Sequence, residues 1–179
     1  MNVVPDEKKL AELLLLIARR LLDDPKGGAT KINKILFAAE YAHVRTYGAP
    51  ITGVPYQKLK LGPAPRRLLP VRDELINDGS AELRDDWYMG KRLVRLVPRR
   101  DPNTSLFTDQ ELEIVEEAIR SLWDKTGAEV SDESHREVGR RMTEVGETIP
   151  YEAAFLAPAF EVTDSMAEHA RHLKERLGR

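Results

Sequence analysis

The chain has 179 residues, 41% of them hydrophobic and 32% charged, with a formal net charge of −2. That is enough for one domain with its own core and a well-solvated surface, and a balance that argues mildly against nucleic acid as the main partner. The absence of cysteine excludes thiol catalysis, a disulfide framework and cysteine metal sites. Asp6, Glu7, Lys8 and Lys9 precede spaced apolar residues, which is not a signal-peptide pattern. The longest apolar run, Leu13 to Ala18, is far short of the ~20 residues of a membrane span. The expectation is a cytoplasmic protein without a membrane segment.

Residues 6–23 predict a first helix, with Leu10, Leu13, Leu14, Ile17 and Leu21 on one face. Leu15, Leu16 and Leu22 widen the stripe, so burial on more than one side is expected. Residues 29–47 predict a second helix. Its apolar face holds Ile32, Ile35, Leu36, Ala39, Ala42 and His43, which leaves Lys31, Lys34, Glu40 and Arg45 mostly on the opposite side. Residues 47–65 hold three glycines and four prolines, a density that marks chain punctuation. Gly48 fits a left-handed cap, Pro50 stops the helix, and Ile51-Thr52-Gly53 reads as a turn. One short strand is expected within Tyr56 to Leu61, then a helix entry at Gly62-Pro63-Ala64-Pro65 and a third helix over 64–78.

Residues 81–98 form two short apolar runs around Tyr88-Met89-Gly90-Lys91, a hairpin signal. Three helices followed by a hairpin is the order of a winged helix. Arg84, Lys91, Arg92, Arg95, Arg99 and Arg100 make this part locally basic, although Asp85, Asp86 and Asp101 dilute the field. A DNA-binding regulator is therefore the alternative functional reading. Thr108 and Glu111 match a capping box, and Phe107 and Leu112 a hydrophobic staple, for a helix over 107–125. Short helical segments are expected from Ser131 to about Met142, at Tyr151 to Leu156, and from Thr163 to about Leu177.

Chemistry finds little support in these residues. His169 and His172 are three apart on the last predicted helix, a weak pattern for a metal site. His43 reads as a hydrogen-bonded core or boundary residue and His135 as a packing or capping residue. No dinucleotide fingerprint, P-loop or nucleophile elbow is present. The expectation is no enzyme, no cofactor and no metal. Tyr47, Tyr56, Trp87, Tyr88 and Tyr151 are aromatics with a polar atom, a type that often anchors interfaces.

The central run is more specific than its composition. Lys31-x-x-Lys34-Ile35-Leu36, Tyr47-Gly48-x-Pro50-Ile51-Thr52-Gly53-x-x-Tyr56 and Leu61-Gly62-Pro63-x-Pro65 together resemble the signature of the SocA-like Panacea antitoxin family, which also occurs in phage-associated proteins. The likeness is dense over about residues 30–80 and looser over 107–155. There Val130-Ser131-Asp132 and Ser134-His135 resemble a second family motif, and Pro150-Tyr151 stands where the family usually has Pro-Trp. The resemblance implies one mainly α domain of α+β type over 1–179. Its parts are a core motif at 29–80, a small hairpin at 81–98, a winged-helix-like N-terminal part and a helical part at 107–177. It implies an antitoxin that neutralises a cognate toxin by direct binding, with delivery of the toxin to the ClpXP protease as another mode. The motif residues Tyr47, Pro50, Thr52, Gly53, Tyr56, Gly62, Pro63 and Pro65 are the candidate partner-binding set. Thr52 and Tyr56 are the choices for direct contact, so Tyr56→Ala is expected to abolish binding without changing stability. Toxin identity and oligomeric state stay open.

Overall fold

The computed structural model describes residues 3–60, 62–123, 125 and 144–155. The predicted segments at 131–142 and 163–177, with His135, His169 and His172, lie outside the described residues. Helix α1 (Glu7–Arg20) starts where Asp6 accepts a hydrogen bond from the Lys9 N–H at 2.8 Å. Glu7 lies at the positive end of the helix dipole, Arg19 and Arg20 at the negative end. Leu10 and every residue from Leu13 to Ala18 are buried, as the widened stripe requires. The helix tightens into a 3-10 turn at Leu21–Asp23.

The other elements follow in order. They are α2 (Ala29–Tyr47), strands β1 (Tyr56–Leu59) and β2 (Gly62–Pro65), α3 (Leu68–Asn77), β3 (Ala81–Tyr88), β4 (Lys91–Pro98), α4 (Asp109–Leu122) and β5 (Thr148–Ile149). Short 3-10 turns occupy Thr104–Leu106 and Tyr151–Phe155. The fold is mainly helical with small antiparallel sheets, as expected. None of the described helices is long and apolar enough to cross a membrane. β3 and β4 pair from Ala81↔Pro98 to Tyr88↔Lys91 and form a sheet of their own. Their turn, Met89-Gly90, has φ of 48° and 74°, the positive pair that suits a two-residue hairpin. Both halves of the capping box on α4 are present. Thr108 Oγ1 accepts from the Glu111 N–H at 3.2 Å, and Glu111 Oε2 accepts from the Thr108 N–H at 2.9 Å.

Two expectations are corrected here. Gly62–Pro65 is not a helix entry but strand β2, and α3 begins only at Leu68. The second sheet has the order β2-β1-β5, so β2 is an outer strand, where a proline without an N–H is tolerated. The second correction concerns Lys31, Lys34 and Glu40, which are buried rather than solvated (1%, 6% and 0% exposed). α2 is packed by α1, α4, β2, β4 and the Tyr151–Phe155 turn, so it has no fully solvated side over most of its length.

Burial obliges these charges to find partners. Lys31 Nζ meets Asp24 Oδ2 at 2.5 Å, with both side chains sealed from solvent. Asp24 Oδ1 also accepts from the Lys26 N–H at 2.8 Å. Arg95, which the sequence groups with the basic hairpin surface, points inward instead. Its Nη1 donates to the carbonyls of Leu21, Asp24 and Gly27 at 3.1, 2.9 and 3.2 Å, and its Nη2 to Pro25 at 3.0 Å. The loop between α1 and α2 is thus clasped by one lysine and one arginine.

Removing one partner of a sealed pair leaves the other charge uncompensated, at a cost of about 3–5 kcal/mol. Asp24→Ala should lower unfolding stability by that order. Adding Lys31→Met to it should recover part of the loss. Chemical denaturation of the two variants measures this, and equal losses in both would show that Lys31 does not depend on Asp24.

Candidate partner-binding surface

Tyr47 ends α2, and the connector between α2 and α3 carries the other seven candidate residues. It starts at Gly48, whose φ of 78° is left-handed and whose N–H donates to the Val44 carbonyl at 2.8 Å. His43 Nδ1 lies 2.6 Å from the Ala49 carbonyl oxygen. This is the hydrogen-bonded core or boundary role expected of it: the side chain is buried, and burial lowers its pKa. The chain then turns back over α2, and Glu40 fixes the turn. Its carboxylate accepts from the Ile51 N–H at 2.7 Å, the Thr52 N–H at 3.0 Å and the Thr52 hydroxyl. Burial outweighs these donors and pushes the Glu40 carboxyl up to about 7.

The segment before α1 crosses the same turn. The Asp6 N–H donates to the Thr52 carbonyl at 2.8 Å. Gly53 has φ of 69°, and a Cβ built on it would meet Val3 and lie 2.9 Å from the Val4 carbonyl oxygen. Glycine is required here by backbone conformation and by close approach alike. Lys9 of α1 joins α4 through Glu111 Oε1 at 2.6 Å.

β1 continues into an aromatic cluster. Tyr56 is 0% exposed and packs edge-on against Tyr41, with ring centroids 5.8 Å apart, and against Phe37 at 5.6 Å. Tyr41 also packs against Tyr151 at 5.4 Å. Two of the hydroxyls stitch the chain together. Tyr41 donates to the Ile149 carbonyl at 3.0 Å and Tyr151 to the Val54 carbonyl at 2.7 Å. The Tyr56 hydroxyl is buried and has no hydrogen-bond partner among the described residues. Burial raises the pKa of all three phenols. Across the sheet, Arg66 Nη2 donates to the Gly146 carbonyl at 2.8 Å and to Thr148 Oγ1 at 3.0 Å.

The candidate residues therefore divide. Thr52, Gly53, Tyr56, Gly62 and Pro65 are buried, while Tyr47, Pro50 and Pro63 remain partly exposed. The expectation that Thr52 and Tyr56 offer direct contacts is corrected in this respect. Thr52 is held by Glu40, and Tyr56 fills the core. Glu40 is the residue that sequence reasoning missed. No local signal in α2 marked it, because Glu40 shares a polar stripe with Lys31 and Lys34 that only distant elements cover.

On the β3–β4 hairpin, Trp87 (67% exposed) and Met89 (84%) are large exposed apolar groups. The arginines of that region are largely spoken for. Arg92 pairs with Asp85, Arg95 with Asp86, Arg99 with Glu82 and Arg100 with Glu12. Among the described residues, no three His, Asp or Glu side chains converge as a metal ion would need.

Tyr56→Ala should cost about 3–5 kcal/mol of stability, the usual loss for a buried aromatic. Tyr56→Phe should be neutral or stabilising, because it deletes a buried hydroxyl without breaking a hydrogen bond within the described residues. Thermal denaturation separates the two, and a strongly destabilised Phe variant would reveal a partner for that hydroxyl.

Glu40 adds a pH dependence of known sign. Its folded pKa of about 7 lies above its ordinary 4.5, so its contribution is full below about pH 4.5 and is lost as pH rises through about 7. The stability of the wild type minus that of Glu40→Gln should fall by roughly 1–3 kcal/mol across this window. Parallel pH profiles for the two proteins would show that Glu40 does not titrate there.

Residues 32–139 match the family described as Antitoxin SocA-like, Panacea domain. No curated protein and no solved structure matches the chain. The matched span is well over half of the chain and contains Glu40, the whole connector, both hairpins and α4. Its frame is the helix, clamped turn and aromatic-backed strand described above, and the chain belongs to the SocA-like antitoxin family with a Panacea domain.

Proposed function

We propose that this chain is an antitoxin that neutralises a cognate protein toxin by binding it directly. The family match over residues 32–139 carries this reading. It requires a stable frame that presents side chains to a partner, and it needs no catalytic group or cofactor, so we also read the chain as a non-enzyme. The frame described above holds its connector by buried hydrogen bonds. Around it, Tyr47, Pro50 and Pro63 are accessible in part, and Trp87 and Met89 project from the hairpin. Tryptophan and tyrosine are the residue types that dominate interface energetics.

Delivery of the bound toxin to the ClpXP protease is a second mode of the same activity, and it needs the same first step. DNA binding by the hairpin draws less support. Phosphate contact requires available cations, and four of the six basic residues there already pair with carboxylates of this chain.

The test is a growth assay. The neighbouring open reading frame is expressed alone and then together with this protein. Arrest by the neighbour and rescue by this chain are expected. Trp87→Ala should weaken the complex by about 2 kcal/mol, roughly thirtyfold in Kd, while the melting temperature stays within a few degrees of wild type. A harmless neighbour, or arrest that persists with this protein well expressed, would sink the pairing.

A further inference from the structure

The β3–β4 hairpin forms a sheet of its own, so each strand has an outer edge. Its two-residue turn fixes which backbone groups face outward. Tyr88 and Lys91 flank Met89-Gly90, and the residues in that place exchange hydrogen bonds across a two-residue hairpin. Bonding to β4 therefore falls on Tyr88, Asp86, Arg84 and Glu82, and the N–H and C=O groups of Trp87, Asp85 and Leu83 point away from it. Two contacts agree with this alternation. The Arg99 N–H donates to the carbonyl of Ser80, two residues before Glu82, at 2.8 Å, and Pro98, which has no N–H to give, stands opposite Ala81. Ala81 is buried, but Leu83, Arg84, Asp85 and Trp87 are exposed.

Along this edge the Trp87 N–H is covered, since it donates to Asp86 Oδ1 at 2.8 Å. Among the described residues, nothing bonds to the outward backbone groups of Leu83 and Asp85. An exposed row of such groups is a template for another strand. The side chains tell which strand fits. Leu83, Asp85 and Trp87 share one face of β3, and Arg84 and Asp86 the other. When β3 meets a second β3 antiparallel about a two-fold axis, the outward groups align only in registers centred on an outward residue. Centred on Asp85, each Leu83 lies opposite a Trp87 and each Arg84 opposite an Asp86. Two apolar pairs and two pairs of opposite charge are set against one like-charge pair, Asp85 with Asp85. Each of those carboxylates is already held by Arg92 of its own hairpin at 2.8 Å. Centring on Leu83 would bring in buried Ala81 and leave Trp87 outside, and centring on Trp87 would run past the turn.

We propose that β3 is a self-pairing edge, on which two copies of this chain join their hairpins into one four-stranded antiparallel sheet in the register centred on Asp85. Pairing passes the Trp87 N–H from Asp86 to the Leu83 carbonyl of the second copy, and it frees Asp86 Oδ1 for the Arg84 of that copy. Each Trp87 indole leaves water over a Leu83 side chain. The strip is short beside the interfaces of permanent dimers, so pairing is weak, with a Kd on the order of 100 μM. It stands independently of toxin neutralisation and is read on the isolated chain.

Analytical ultracentrifugation of the full chain from about 5 μM to about 1 mM should show a monomer–dimer equilibrium. Amide exchange followed by NMR reads the edge itself. The Leu83 and Asp85 amides should exchange several-fold more slowly in the concentrated sample, whereas those of Arg84 and Asp86, already bonded to β4, should change little. Leu83→Lys sets a charge against Trp87, and Arg84→Glu sets one carboxylate against another, so each should weaken pairing several-fold. All the substituted side chains are exposed, so the fold should survive each change. A mixture of the wild type with Asp85→Lys tests the register, because only there does this position meet its own copy. The mixed pair should be about fivefold tighter than the wild-type pair. A chain that stays monomeric throughout, dimers indifferent to both Leu83→Lys and Arg84→Glu, or a mixed pair no tighter than the wild-type pair would overturn the proposal. Protection of the Leu83 and Asp85 amides that appears only with the product of the neighbouring open reading frame would give the edge to that protein and overturn self-pairing.

Discussion

A helix with no solvated side cannot carry charge for free, and α2 carries three buried charged residues. Lys31, with Arg95 beside it, holds the loop that enters the helix. Glu40 holds the turn that leaves it. Lys31 and Glu40 are therefore each tied to a segment that has no regular structure of its own. A buried ion pair adds little net stability over a well-packed apolar pair, because desolvation offsets most of the Coulomb gain. We read these contacts as positional devices. They fix where two loops sit relative to one helix, and β1, the aromatic cluster and the N-terminal crossing depend on that placement.

What the sequence made legible was local. The leucine stripe of α1, the Gly48 stop of α2, the Met89-Gly90 turn and the Thr108–Glu111 box each lie within a few residues of the structure they specify. The misreadings came from partners far along the chain. Gly62–Pro65 looks like a helix entry until β1 pairs with it as an edge strand. Lys31, Lys34 and Glu40 fall on a polar stripe by period, and only the packing of α4, β2 and the Tyr151–Phe155 turn around α2 shows that this stripe is covered. Arg95 sits among surface arginines in sequence and donates to four loop carbonyls in space. The connector was legible as a shaped segment but not as a surface: most of its motif residues face inward.

That division has a meaning for recognition. The family signature in this chain is mostly a description of shape. Thr52 is a donor to Glu40, Gly53 makes room for the N-terminal segment, Gly62 opens β2 with a φ of 119° and Tyr56 fills the core. Residues that build a frame are constrained by that frame, whereas exposed residues such as Trp87 and Met89 are not.

The sheet order β2-β1-β5 carries a kinetic consequence. The inner strand receives its second neighbour, β5, only after the remaining helices and the β3–β4 hairpin have been made. At the ~5–20 residues per second of ribosomal synthesis, this interval lasts several seconds. Throughout it one edge of β1 is uncovered, and the Tyr41 hydroxyl still lacks the Ile149 carbonyl to which it donates in the finished fold. A nascent chain at this stage is open to pairing with any passing strand. Closure of the sheet by β5 covers that edge and gives the Tyr41 hydroxyl its acceptor.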